Sequence, residues 1–292
     1  MTSNLNDTMT EPLIRNISDT ARWAAVFRAR ETERADALFR DPLAQRLAGE
    51  RGEQIASAMT MHTKNSWSWV MRTYVMDQYI ERQLAAGVDT VLNLAAGLDA
   101  RPYRMSVSPT LRWIEVDLPE LLAYKVEKLA GEKPRCVLER VSMNLADVAK
   151  RRALFAQIGA SARRALVISE GLLVYLSPDD VGVLAKDLSN QLTFRYWVFD
   201  IVSPGLLQML RTQGGGEELE RAGAPFKFAP PEGPELFRRY GWQPLEVRSA
   251  FKAAHHVRRL PWPLKLFGFF PESNGAQGKR PWSGLCLMER AE

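Results

Sequence analysis

The chain has 292 residues, of which 46% are hydrophobic and 25% charged, the balance of a folded globular protein with a sizeable core rather than of a disordered or fibrous one. Its net charge of +5 raises nucleic acid as a partner, but basic and acidic residues are interleaved and no nucleic-acid motif occurs, so none is expected. The two cysteines, Cys136 and Cys286, have no CxxC partner and fall in predicted core strands, so they are read as buried thiols and no disulfide framework is implied.

Residues 1–17 are polar and aperiodic and are expected to form a mobile arm. From Asp19 to Leu38, the apolar residues Trp23, Ala24, Phe27 and Leu38 lie among alternating charges and predict an amphipathic helix. Asp41-Pro42 opens a second helix, since proline suits a first turn. A third is predicted from Trp67 to Leu84, with Val70, Met71, Tyr74, Val75 and Tyr79 turned inward. Residues 18–88 thus form a helical cover ahead of the core. Within residues 89–203, strands are predicted at 90–94, 111–116, 136–142, 165–169 and 194–202, with helices between them, as in a doubly wound α/β fold. Ser177-Pro178-Asp179-Asp180 starts one of these helices, with serine as cap, proline in the first turn and Asp180 returning a bond to the cap.

Gly214-Gly215-Gly216 cannot hold a regular element, so residues 204–238 are read as a lid or substrate insertion, an ordinary surface loop being the alternative. Residues 239–292 supply two final strands, Trp242 to Val247 and Leu285 to Glu289. The stretch from Phe251 to Phe270 sets Trp262, Leu264, Leu266, Phe267, Phe269 and Phe270 among Lys252, Arg258, Arg259 and Lys265. It could lie on an anionic membrane, but Pro261 and Pro263 interrupt any long helix, and an apolar pocket wall is the preferred reading. The three histidines, His62, His255 and His256, lack metal-ligand spacing, and the adjacent pair would point to opposite faces of a strand, so no metal is expected. No secretory signal is seen and no run reaches the ~20 apolar residues of a membrane span, so a cytoplasmic location without stable membrane association is expected.

The run VLNLAAGLDARPYRM, residues 91–105, carries the most chemical information. An apolar strand ends in Ala95, Ala96 and Gly97, and Gly97 lets a ligand approach backbone where a Cβ would block it. Asp99 stands inside the turn. It would repel a pyrophosphate, whereas S-adenosylmethionine has no phosphate and bears a sulfonium cation, so a carboxylate is tolerated there. Twenty residues on, Asp117 ends the second strand, where a carboxylate can accept bonds from both ribose hydroxyls or serve the helix that starts at Pro119. Asp99, Arg101 and Arg104 are expected to shape the turn through ion pairs.

The runs AGLDARPYRM, IEVDLPELLAYK and LVISEGLLVYL resemble motifs of the leucine carboxyl methyltransferase family, including its bacterial branch of S-adenosylmethionine-dependent O-methyltransferases. TARWAAVFRARETE, FRDPLA, MRTYVMDQYI and FKFAPPEGPELFRRYGW extend the similarity in the family's order over most of the chain. The resemblance implies a class I methyltransferase, Rossmann-like seven-stranded sheet with an N-terminal helical cover and a late lid insertion, residues 18–292 forming a single domain. It further implies that Arg72 holds the methionine carboxylate, a surface ion pair with Asp77 or Glu81 being the alternative. Glu170 would contact the amino end of the methionine. Asn144 and Leu145 stand where the family usually has aspartate and leucine beside the adenine, and an asparagine can still donate and accept at a purine edge. Ala95 replaces a glycine found in many members; its methyl narrows the turn without preventing binding provided φ is negative.

Tyr175 is a candidate for the acceptor pocket, with core packing as the other reading. No conspicuous general base is visible, which fits an ionised carboxylate acceptor better than an unactivated hydroxyl. The reading is therefore methyl transfer from S-adenosylmethionine to a carboxylate or hydroxyl of a small or medium apolar acceptor. A nicotinamide-dependent oxidoreductase, and a non-catalytic relative that keeps the cofactor, are the rivals.

Overall fold

The computed structural model describes residues 14, 17–59, 66–213, 216–269 and 278–292. Of the expected arm, Ile14 and Ile17 are described: Ile14 is buried and Ile17 opens the first helix; His62, Gly214, Gly215 and Phe270 lie outside the described residues. Among the described residues the helices α1 (Ile17–Thr32), α2 (Ala44–Ala58) and α3 (Trp67–Ala85) come first. Then follow β1 (Thr90–Leu94), the single turn α4 (Arg101–Arg104), β2 (Arg112–Asp117), α5 (Pro119–Lys128), β3 (Val137–Ser142), α6 (Val148–Ser161) and β4 (Ala165–Ser169). The chain continues through α7 (Pro178–Ser189), β5 (Phe194–Val202), α8 (Pro204–Gln213), the short α9 (Gly216–Arg221), β6 (Trp242–Ser249), α10 (Ala250–His256), α11 (Trp262–Lys265) and β7 (Ser283–Arg290).

The seven strands form one sheet in the order β3-β2-β1-β4-β5-β7-β6, parallel except for β7, which runs antiparallel between β5 and β6. Strands buried on both faces need continuous apolar runs, and β1 and β4 are buried at every residue. Alternate side chains then feed different cores. Leu92, Leu94, Ile114 and Val167 pack against Phe155 and Ile158 of α6 and Val181 and Leu188 of α7. Val91, Trp113, Leu166 and Ile168 pack on the other face against Val75, Met76, Tyr79 and Ile80 of α3. A third core joins Trp23, Val26 and Phe27 of α1 to Leu47 and Ile55 of α2 and to Leu98 and Leu121 of the sheet domain. Buried Arg28 fastens this cover, pairing with Asp41 at 2.9 Å and donating to the Leu98 carbonyl at 2.6 Å.

Because winding proceeds one way from β1 to β2 and β3 and the other way from β1's neighbour β4, the topology reverses between β1 and β4. A crevice opens at the carboxyl ends of strands at such a point. The core strands agree with expectation within a residue or two. The Ser177 cap is present, its Oγ accepting the Asp180 N–H at 3.1 Å and donating to the Asp180 carboxylate at 2.6 Å.

Two expectations are corrected. The first helix stops at Thr32 rather than Leu38, because Glu31 and Thr32 side chains take backbone N–H groups from Leu38 and Asp41 at 2.8 and 2.7 Å and fold the chain back. His255 and His256 lie in helix α10, capped by Ser249, and not in a strand. No helix among the described residues is long and apolar enough to cross a membrane.

Glu115 of β2 is wholly buried and accepts from Lys125 Nζ at 2.8 Å and Arg140 Nε at 2.9 Å. Glu115→Leu would leave the buried Lys125 ammonium uncompensated, which costs about 3–5 kcal/mol. Urea denaturation should show that loss, and a change below about 1 kcal/mol would contradict the assignment.

Candidate active site

The turn after β1 is held in left-handed backbone at two places, Ala95 (φ 51°) and Gly97 (φ 50°). The condition of a negative φ at Ala95 is not met: the chain reverses within three small residues, and Ala96 N–H reaches the Val116 carbonyl at 3.1 Å. Gly97 N–H donates to Asp117 Oδ2 at 2.6 Å and Leu118 N–H to Oδ1 at 2.7 Å. Burial pushes the Asp117 carboxyl above its ordinary range, opposed by those two N–H groups.

Behind the turn lies a cluster of buried charges. Arg101, 2% exposed, pairs with Asp77 at 2.6 Å, Asp99 at 2.9 Å and Glu170 at 2.8 Å. Arg104 adds a second bond to Asp77, at 2.7 Å, and Asn93 donates to Asp99 at 2.8 Å. The ion pairs expected of Asp99, Arg101 and Arg104 are thus present. Burial acts to raise the Asp99 and Glu170 carboxyls, but Arg101, Lys125 and Arg104 together outweigh it at Asp99, and Arg101 with Arg72 at Glu170, so both stay below the usual carboxylate range.

Arg72 does not pair with Asp77 or Glu81. Positions 72 and 77 stand on different faces of α3, and neighbours on a helix are three or four apart. Instead Arg72 crosses to the sheet, bonding Glu170 at 3.0 Å and approaching Asp200 of β5 at 3.5 Å, with its guanidinium over the Trp69 ring at 4.7 Å. Burial alone would lower the Arg72 pKa, but Asp200 and Glu170 raise it above the ordinary value. Gly171 (φ 65°) makes room, since a Cβ there would stand 3.1 Å from Arg72 Nη1.

These residues line one cavity of about 1100 Å³ at the carboxyl edge of the sheet. Arg72, Ala95, Gly97, Asp117, Asn144, Leu145, Glu170 and Tyr175 all stand on its wall, so every site residue read from the sequence is brought together. Asn144 Oδ1 accepts the Ala146 N–H at 2.9 Å. Tyr175 stacks near Phe226 at 5.4 Å with its hydroxyl bonded to Thr20, and burial holds that hydroxyl protonated. The far half of the cavity is apolar, with Leu206, Met209, Phe226, Phe251 and Trp282 among its lining. In the late aromatic stretch, Leu264 and Phe267 reach the cavity while Trp262, 78% exposed, faces solvent.

Sequence reasoning missed Asp200. Its signal is a lone carboxylate in the apolar strand FRYWVFDIV, near the carboxyl end where ligands collect. The cysteines are no candidates for nucleophile: burial pushes the Cys136 thiol up to about 11 and Cys286 higher still.

Residues 21–189, covering the cover helices, the glycine turn and the Glu170 segment, match the leucine carboxyl methyltransferase family model. The chain belongs to the leucine carboxyl methyltransferase family. A protein of Frankia alni, provisionally named an S-adenosyl-L-methionine-dependent methyltransferase, is 30% identical over 265 residues, 84% of this chain and 90% of that one. One of Streptomyces coelicolor with the same provisional name is 35% identical over 184 residues, 59% of this chain; the match spans 64% of the relative, just under two thirds of its length. Among solved structures, a provisionally named methyltransferase of Thermobifida fusca superposes with TM-score 0.59 at 16% identity, covering 99% of this chain and 100% of that one. The seven-stranded fold of this family member is accordingly that of class I methyltransferases.

Left-handed backbone costs a residue with a Cβ roughly 1–2 kcal/mol. Glycine gives back roughly 0.5–1 kcal/mol through its freer unfolded chain. Ala95→Gly should therefore stabilise the protein by about 0.5–1 kcal/mol, seen as a raised unfolding midpoint. A lowered midpoint would contradict the φ assigned to Ala95.

Proposed function

We propose that the chain is an S-adenosylmethionine-dependent O-methyltransferase acting on a carboxylate or hydroxyl of a small or medium apolar acceptor. One observation carries the reading: Arg72, Gly97, Asp117, Asn144, Leu145 and Glu170, dispersed over a hundred residues of sequence, face one cavity at the topological reversal between β1 and β4. Family membership supports the same reading.

The donor set fits the cofactor. The cavity exceeds the roughly 300–1,000 Å³ that a drug-sized ligand needs, leaving space for cofactor and acceptor together. Arg101 Nη2 is buried with no hydrogen-bond partner among the described residues, as expected of a donor that awaits an anionic group. Gly97 supplies a left-handed backbone at the turn, and at Gly171 a Cβ would press on Arg72 Nη1. In this reading Asp117 receives the ribose hydroxyls, Asn144 and Leu145 flank the adenine, Arg72 holds the methionine carboxylate and Glu170 offers negative charge to ammonium and sulfonium.

When bound, S-adenosylmethionine supplies an electrophilic methyl group on a positively charged sulfur. The protein's part is to hold the acceptor oxygen in line with that methyl and opposite the leaving sulfur. Charge is neutralised as the methyl moves, so the apolar far wall favours transfer by keeping water from the separated ions.

Isothermal titration should show binding of both S-adenosylmethionine and S-adenosylhomocysteine. Arg72→Ala and Asp117→Ala each remove a charged hydrogen-bond partner worth about 1.5–3 kcal/mol, a loss of roughly 10- to 100-fold in affinity. Unchanged affinity in both variants would remove the site assignment. Protonation of Asp117 competes with ribose binding, and burial places that protonation above the ordinary carboxylate range. Affinity for S-adenosylhomocysteine should therefore be flat near neutrality and fall as pH drops through the Asp117 range, before Glu170 protonates. Asp117→Asn should flatten the decline, and a decline that persists in that variant would assign it to another group.

A further inference from the structure

Two carboxylates face the cavity side by side, and their surroundings give them different chemistry. The register Ser169 to Phe199 sets Asp200 of β5 beside Glu170, one strand spacing of ~4.8 Å farther from β1. Along the sheet order β2-β1-β4-β5, Asp117 marks the nucleoside end, Glu170 the methionine end, and Asp200 the next place out. Beyond it the lining is uncharged, with Ile201, Leu206, Met209, Phe251 and Trp282.

Glu170 is held by two guanidinium groups, Arg101 at 2.8 Å and Arg72 at 3.0 Å. Asp200 has weaker support: the Gly171 N–H at 2.6 Å on Oδ1, and Arg72 Nη1 at 3.5 Å from Oδ2, beyond hydrogen-bond distance. The other titratable groups around Asp200 are Tyr175 and Cys286, both held protonated by burial. Burial raises the Asp200 carboxyl above its ordinary range despite Arg72, whereas Glu170 is lowered. A half-buried carboxylate at the border of an aromatic, uncharged chamber repels an anionic acceptor and suits one that must lose a proton.

We infer that Asp200 is the proton acceptor for an apolar, phenol-like hydroxyl bound in the far half of the cavity. The inference rests on the methyltransferase reading and narrows its acceptor class. As the hydroxyl oxygen forms its bond to the methyl carbon, the carbon–sulfur bond breaks and its electron pair stays on sulfur. The hydroxyl proton passes to the free oxygen of Asp200 and leaves to water when the methyl ether departs. A carboxylate base suits a phenol, whose pKa near ~10 makes partial proton transfer sufficient.

The probes are 2-naphthol and 2-naphthoate, matched in ring and ionised differently at about pH 7. With S-adenosylmethionine, the wild-type protein should form the methyl ether of 2-naphthol and leave 2-naphthoate unesterified. Asp200→Asn should bind S-adenosylhomocysteine with little change, yet transfer to 2-naphthol roughly 100-fold or more slowly near neutral pH. Its rate should recover as pH approaches ~10, where the phenol ionises without help. A merely structural role would give no such recovery. Preference for 2-naphthoate, transfer to neither probe, an unchanged rate in Asp200→Asn, or loss of its cofactor binding would each overturn the inference. Failure of the wild-type protein to bind S-adenosylhomocysteine would instead overturn the methyltransferase reading, and this one with it.

Discussion

Arg101 carries a positive charge into a place from which water is excluded, and the site is built around keeping it there. A guanidinium at 2% exposure is tolerable only if carboxylates surround it, and they come from three separate elements: Asp77 from α3, Asp99 from the β1 turn and Glu170 from the end of β4. The same contacts that balance the charge of Arg101 fix the turn, the third cover helix and the carboxyl edge of the sheet relative to one another. Arg72 depends on this arrangement, because Glu170 is shared between the two arginines. What looks from the sequence like a local acidic and basic cluster is a long-range clamp.

The clamp also explains how a turn containing a carboxylate can face a ligand. Asp99 is bound by Arg101 and by Asn93, so its charge is committed to the fold. The carboxylates left to face the cavity differ in their neighbours. Asp117 is held by two backbone N–H groups, Glu170 by two arginines and Asp200 chiefly by one backbone N–H. From β2 to β5 the edge thus passes from a hydrogen-bonding station to an ion-pairing one and then to a group able to take up a proton, with the uncharged chamber after it.

Much of the fold was legible in the sequence because strands buried on both faces, such as TVLNL and ALVIS, leave continuous apolar runs that little else produces. The candidate site residues at strand ends were legible for the same reason: Gly97, Asp117 and Glu170 directly follow or close such runs. Arg72 needed the resemblance to a family, since an arginine within a helix carries no local mark of function. The left-handed backbone of Ala95 was not legible, because small side chains disguise it until the turn is seen to close on Val116. The end of α1 at Thr32 was hidden because side-chain to backbone bonds, which propensity does not register, redirected the chain. Asp200 escaped because it lies inside a strand, two residues before its end, and only pairing with β4 sets it beside Glu170.

The central claim is that a sulfonium cofactor lies across the β1 and β4 edges with its nucleoside toward β2. A crystal structure with S-adenosylhomocysteine tests it most directly. Ribose hydroxyls are expected at Asp117, adenine beside Asn144 and Leu145, and the carboxylate at Arg72, with open apolar space next to the sulfur. Adenosine seated anywhere else, or a pyrophosphate-bearing nucleotide bound beside Asp99 in preference to it, would contradict the account.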